Sequence, residues 1–228
     1  MSTPLRLVIF DVDGTLVDSQ ADILAAMAVA FEIGGYPLPS RAEVLEMVGL
    51  SLDVIFPLLV PQADAATHAR MVEGYKSAYM ALRAKVGVAQ SSPLYPGALE
   101  ALQALHAMPE VLLGVATGKS RRGLDKLIEG HGLQGMFVTQ QSADFHPSKP
   151  HPAMVLAALS ETGVEARDAV MVGDTSFDME MAADAGVAGI GVSWGYHDSA
   201  RLQGPAQCVI DDFAALAPAL AQMWGQMA

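Results

Sequence analysis

Two aspartates, Asp11 and Asp13, leave the apolar run LRLVIF with one residue between them, and a third, Asp18, follows within DVDGTLVDSQ. If the chain stays extended there, the two-residue alternation of a strand sends the side chains of Asp11 and Asp13 to the same side. Carboxylates about 4 Å apart repel by roughly 4 kcal/mol at an effective dielectric of 20, so such a pair needs a cation, a shared proton or intervening water. A second acidic pair, Asp174 and Asp178, stands in GDTSFD after another apolar run. Brought beside Asp11, Asp174 would complete an oxygen-only cluster, the donor set that suits Mg²⁺. Asp18 lies where a helical pattern begins, and fits a linker or helix start better than the chemistry.

Two further segments supply the opposite polarity. Thr117 and Gly118 follow the run VLLGVA and precede a helix opening at Ser120, which offers a hydroxyl and backbone N–H groups to a phosphate. Lys149 sits in HPSKPHP, where Pro147, Pro150 and Pro152 restrict the backbone and help aim its ammonium. Each feature alone also fits a plainer role: DxD as a turn, Asp174, Thr117 or Ser120 as helix caps, Lys149 as a solvated loop lysine. Carboxylates, an anion-binding turn and one cation, in order at successive strand ends, describe phosphoryl chemistry.

The elements that must position these residues are legible as an alternation. Short apolar runs at 5–10, 111–116, 136–138, 169–173 and 187–192, with a weaker one at 208–210, suit strands buried on both faces of a parallel sheet. Helical patterns intervene: PGALEALQALHAM with Pro96 in its first turn, SRRGLDKLIEGHG ending on Gly130 or Gly132, and HPAMVLAALSETG ending on Gly163. This is the grammar of a doubly wound, Rossmann-like α/β sheet, whose ligands bind at the carboxyl ends of the strands. Between Val17 and about Gln90 the strand-like runs stop. Capping boxes are expected at Ser19 with Asp22 and at Ser40 with Glu43, the second helix closing on Gly49, and apolar stripes run through Ile23, Met27 and Phe31 and through Met71, Tyr75 and Tyr79. The expected organisation is a discontinuous α/β core, residues 1–17 and 91–228, with an all-helical insert at 18–90.

The chain has 228 residues, 52% of them hydrophobic, which is ample for a packed interior. A net charge of −12 without a basic cluster argues against nucleic acid and anionic membranes as partners. The single cysteine, Cys208, forbids an intrachain disulfide, and the six histidines show no metal-ligand spacing. With no leader-like N-terminus and no long apolar segment, a cytoplasmic protein acting as monomer or homodimer is expected.

The order DVDGTLVDS, ATGKS, SKP and GDTSFD resembles the four motifs of the haloacid dehalogenase-like hydrolase superfamily, specifically its phosphoglycolate phosphatase-like branch with a helical cap. The resemblance implies that Asp11 is a nucleophile forming an aspartyl phosphate and that Asp13 is the acid and base. Mg²⁺ would be held by Asp11, Asp174 and the Asp13 backbone carbonyl, with Asp178 orienting that shell, and the phosphate by Thr117, Gly118 and Lys149. Dehalogenases of the superfamily lack an aspartate at the position of Asp13, so a small phosphorylated metabolite is the expected substrate. A phosphomutase of the same fold is the alternative, and a phosphorylatable signalling module a distant third. In the second motif an asparagine commonly follows the threonine; Gly118 departs from that form. The insert should choose the substrate, through the loop carrying Gly49 and Ser51 or through Arg41, Lys76 or Arg83, while WGYH at 194–197 either borders the entrance or packs at a domain edge.

Overall fold

The computed structural model describes residues 4–226. Its chain runs β1 (Arg6–Phe10), α1 (Gln20–Gly34), α2 (Arg41–Glu46), α3 (Leu52–Leu59), α4 (Ala65–Val86), α5 (Val88–Ser91) and α6 (Ala98–His106). It continues through β2 (Val111–Thr117), α7 (Arg121–Gly130), β3 (Phe137–Ser142), α8 (Ala153–Thr162), β4 (Ala169–Gly173) and α9 (Ser176–Asp184). The remaining elements are β5 (Ala188–Val192), α10 (Ser199–Leu202), β6 (Cys208–Ile210) and α11 (Leu216–Gln226).

All six strands are parallel, in the order β3-β2-β1-β4-β5-β6. That is the doubly wound arrangement, with its reversal of strand order beside β1. The alternation of β1 divides the core into two layers. Val8 and Phe10 pack with α6, α7 and α11 on one face, and Leu7 and Ile9 with α8 and α9 on the other. β3 runs further than its apolar residues suggest, and two of its buried polar side chains find partners within the fold: Gln141 donates to Thr139 Oγ1 at 2.8 Å, and Thr139 donates to Glu161 of α8.

Helices α1 to α5 intervene between β1 and β2 and enclose their own apolar cluster, built on Met27, Phe31, Phe56 and Met71. The two connecting segments run side by side: Asp18 N–H donates to Pro93 O at 2.9 Å, and Tyr95 N–H to Leu16 O at 3.0 Å. The Ser40–Glu43 capping box forms at the start of α2. That at Ser19 and Asp22 does not: Ser19 stands at the N-terminus of α1, but its hydroxyl turns to Asp13 and Tyr196, while Asp22 accepts from Ser91. A tertiary partner wins over the local cap in both cases. Helix α2 ends at Glu46 with Met47 as its cap, so Gly49 turns the chain beyond the helix rather than closing it.

Candidate active site

Because β2, β1 and β4 are neighbours, their carboxyl ends bring Thr117, Asp11 and Asp174 to one crevice. Asp11, Asp174 and Asp178 are buried, and each offers a carboxylate oxygen such that the three lie within 4.8 Å of one another. Lys149 reaches under them with its side chain wholly buried, its Nζ 2.7 Å from Asp11 Oδ1 and 2.6 Å from Asp178 Oδ1. The other oxygen of Asp178 accepts from the backbone and hydroxyl of Thr175, at 3.1 and 2.7 Å, as part of the capping box of α9. Thr175, not Asp174, therefore caps that helix.

Asp174 is held from both sides. Thr15 donates its hydroxyl to Oδ1 at 2.9 Å, and the Tyr196 N–H donates to Oδ2 at 2.8 Å. The approach is so close that a Cβ at Gly195 would lie 2.1 Å from Asp174 Cβ, and one at Gly14, whose φ is +85°, 2.2 Å from Oδ2. Trp194 donates to Thr15 O at 3.1 Å, and the buried His197 accepts from Ser176 N–H and donates to Glu46 O. The WGYH segment thus borders the site and fastens Asp174, through a backbone contact that its residue types do not advertise.

The electrostatics of the cluster call for a cation. Burial, opposed by Lys149 and reinforced by the Asp178 charge, pushes Asp11 up to about 7. Burial and the neighbouring Asp11 charge push Asp174 well above the usual carboxylate range. Asp11 Oδ2 is buried and without a hydrogen-bond partner. Buried carboxylate oxygens with one coordination direction free fit a hard divalent metal ion. Binding it would expel the proton that the raised carboxyls otherwise retain. Metal affinity is therefore expected to rise with pH, by about tenfold per unit for each displaced proton, while the raised carboxyls still hold one, which calorimetric titration at pH 6, 7 and 8 would measure. Without metal the sign for stability is opposite. A carboxyl raised from 3.8 to about 7 binds its proton more tightly folded than unfolded, so its contribution to stability is lost as pH rises through that window.

Asp13 has a different environment. Lys119, whose place in ATGKS does not announce a role, places Nζ 2.6 and 2.7 Å from its two oxygens, and Ser19 donates to it as well. Burial alone would raise the Asp13 pKa, but the Lys119 charge and these hydrogen bonds outweigh it and hold the group below the usual range. Lys119 also donates to Tyr79 Oη of α4 at 3.1 Å, tying the helical insert to the core. Thr117 is fully buried and accepts from the Lys119 N–H at 3.2 Å, while Ser120 caps α7.

The loop between α2 and α3 lies over the same crevice. Ser51 donates its N–H to Ser148 Oγ at 2.8 Å, next to Lys149. Ser51 occupies the N-cap position of α3, with no side-chain cap bond. A Cβ at Gly118 would come within 2.7 Å of Gly49 O and 3.1 Å of Leu50 O. Glycine in place of the common asparagine thus lets this loop sit directly on the second motif. Gly118→Asn is expected to unseat the loop and lower kcat/KM by up to about 100-fold, since misplacement by an ångström costs on that scale, with little change in melting temperature; steady-state kinetics and a thermal melt test this.

Between the crevice and helices α1, α3 and α4 lies a cavity of about 790 Å³, lined by Asp11, Asp13, Thr117 and Gly118 on the core side and by side chains such as Met27, Ile55 and Tyr79 on the insert side. A doubly wound core with buried acidic residues at its strand ends and a helical insert over them defines a class of hydrolases. The chain belongs to that class as a member of the haloacid dehalogenase-like hydrolase family, whose description matches residues 8–192. It is 37% identical to the probable phosphatase IndB of Dickeya dadantii, over 91% of this chain and 90% of that protein. It is 33% identical to the phosphoglycolate phosphatase of Agrobacterium fabrum, over 96% and 94% of the two chains. Among solved structures it is similar to a predicted phosphoglycolate phosphatase from Haemophilus somnus, with a TM-score of 0.81, 25% identity and coverage of 96% and 99%. Among the described residues no helix is long and apolar enough to cross a membrane.

Proposed function

We propose that this chain is a Mg²⁺-dependent phosphatase that hydrolyses a small phosphomonoester through an aspartyl phosphate on Asp11. The observation that carries the proposal is the state of Asp11, buried and ion-paired to Lys149 on one oxygen and bare on the other. In this reading residues 18–90 form the cap over a core of 1–17 and 91–228. Asp11, Asp174 and the Asp13 backbone carbonyl would hold the metal ion, and Asp178, whose oxygens are taken by Lys149 and Thr175, positions Lys149. When bound, the ion would neutralise the repelling carboxylates and the charge on the phosphoryl oxygens.

Asp11 attacks phosphorus as the ester P–O bond breaks, and Asp13 passes a proton to the departing oxygen. Water then adds to phosphorus as Asp13 removes its proton, the bond to Asp11 breaks, and inorganic phosphate leaves. Lys149, the Thr117 hydroxyl and the Gly118 N–H stabilise the charge that shifts onto the phosphoryl oxygens. The pairing of Lys119 with Asp13 favours the ionised form that the second step needs. An arriving phosphate competes for Lys119, and releasing Asp13 from it makes protonation of Asp13 easier for the first step.

The names of the similar proteins make 2-phosphoglycolate the first substrate to try. A single half-buried cysteine suits a cytoplasmic setting. Mg²⁺-dependent phosphate release from a panel of phosphorylated metabolites tests the proposal. A folded protein inert on every member would refute it, and isomerisation of a sugar phosphate without phosphate release would replace it with a mutase.

A further inference from the structure

Of the three cap cations that could meet a substrate, the structure singles out one. Arg41 is exposed and donates to Gln20 at 2.7 Å, and the exposed Lys76 lies 3.5 Å from Glu73. Arg83 is different. It lines the cavity that also contains Asp11 and Asp13, as Lys76 does, but it is only 8% exposed, and among the described residues it makes no ion pair. Its two terminal nitrogens donate to neutral oxygens, Gly123 O at 3.3 Å and Ser92 Oγ at 3.2 Å, and its Nε is buried without a partner. The nearby buried carboxylate of Asp22 is taken by Ser91. A guanidinium removed from water with no carboxylate in ion-pair contact, its charge met only at longer range by groups such as Asp13, is a poor arrangement unless a ligand completes it.

The surroundings describe that ligand further. The guanidinium lies over the Tyr79 ring at 4.7 Å from its centroid, Lys119 lies near the same ring at 5.0 Å, and Tyr79 stacks on Tyr75 at 5.8 Å. Ile23, Met27, Val72 and Met80 complete an apolar wall. About 790 Å³ is room for a leaving group well beyond two carbons. Nε and the remaining terminal N–H groups form a planar fork that matches a carboxylate in two-point contact, and in the reading above the phosphoryl group is already taken by Lys149, Thr117 and Gly118.

We propose that Arg83 and the Tyr75–Tyr79 wall form a leaving-group subsite, so that the preferred substrate is a phosphomonoester whose leaving group carries a carboxylate on an apolar or aromatic body. This rests on the phosphatase reading above and assigns to Arg83 the choice among substrates rather than the chemistry.

The test compares 4-carboxyphenyl phosphate with phenyl phosphate, in the full-length wild type and in Arg83→Met and Arg83→Lys, with Mg²⁺ present. The wild type should prefer the carboxylated ester by about 100-fold in kcat/KM, the scale of one buried charge-assisted contact. Arg83→Met should erase that preference, lowering kcat/KM for the carboxylated ester far more than for phenyl phosphate, and Arg83→Lys should retain part of it. Equal loss on both esters, with a lowered melting temperature, would mean that Arg83 only fastens the cap to Ser92 and Gly123, and would overturn the inference. So would a wild type that cleaves both esters equally, which leaves the phosphatase reading intact. A wild type inert on both, and on the metabolite panel, would overturn both readings.

Discussion

Asp11→Asn is expected to lower kcat by at least about 10⁴-fold, because it removes the proposed nucleophile and nothing nearby can replace it. Asp13 is engaged by Lys119 and Ser19, Asp178 by Lys149 and Thr175, and Asp174 by Thr15 and the Tyr196 backbone. The protein should stay folded. Asparagine is isosteric, and in the metal-free state it takes one negative charge out of a cluster whose burial already pushes Asp11 up to about 7. A melting temperature equal to or above that of the wild type at pH 7.5, together with lost turnover, would separate chemistry from stability.

Lys149→Met is expected to fail in both respects. The wild-type ammonium is wholly buried between Asp11 and Asp178, and burial, which alone would depress its pKa, is outweighed by those two charges. Removing it leaves uncompensated buried carboxylates, a change of about 3–5 kcal/mol in metal-free stability. It also removes the charge proposed to face the phosphoryl oxygens, worth about 10²–10³ in kcat. Added Mg²⁺ should restore much of the stability and little of the rate. Chemical denaturation with and without Mg²⁺, beside kinetics at saturating metal, would show that split; full recovery of the rate would mean that Lys149 serves only to balance charge.

The sheet and the strand-end residues were legible in the sequence because both follow from short-range pattern. Apolar runs such as VLLGVA and AVMVG mark buried parallel strands, and a doubly wound topology then brings their carboxyl ends together. Asp11, Lys149, Asp174 and Asp178 meet there although up to 167 positions separate them. What the sequence hid depends on how the helical insert seats itself. Lys119 reads as one more surface lysine until the structure lays Tyr79 and Asp13 against it. Gly118 looks like a departure from the usual motif until the carbonyls of Gly49 and Leu50 are found where a side chain would be. Ser19 and Asp22 have the spacing of a capping box, yet partners from distant segments claim both. Tyr196 acts through its N–H, which every residue except proline carries, so no residue type could have announced it.

The proposed reaction binds phosphate covalently to Asp11 between its two steps. Rapid acid quench of the wild type turning over an active ester with Mg²⁺, followed by peptide mapping, tests it most directly. A hydroxylamine-labile phosphoryl group on Asp11, formed and lost at rates compatible with kcat and absent from Asp11→Asn, is the expected result. Phosphate release that persists in Asp11→Asn, with no phosphorylated peptide in the wild type, would contradict it.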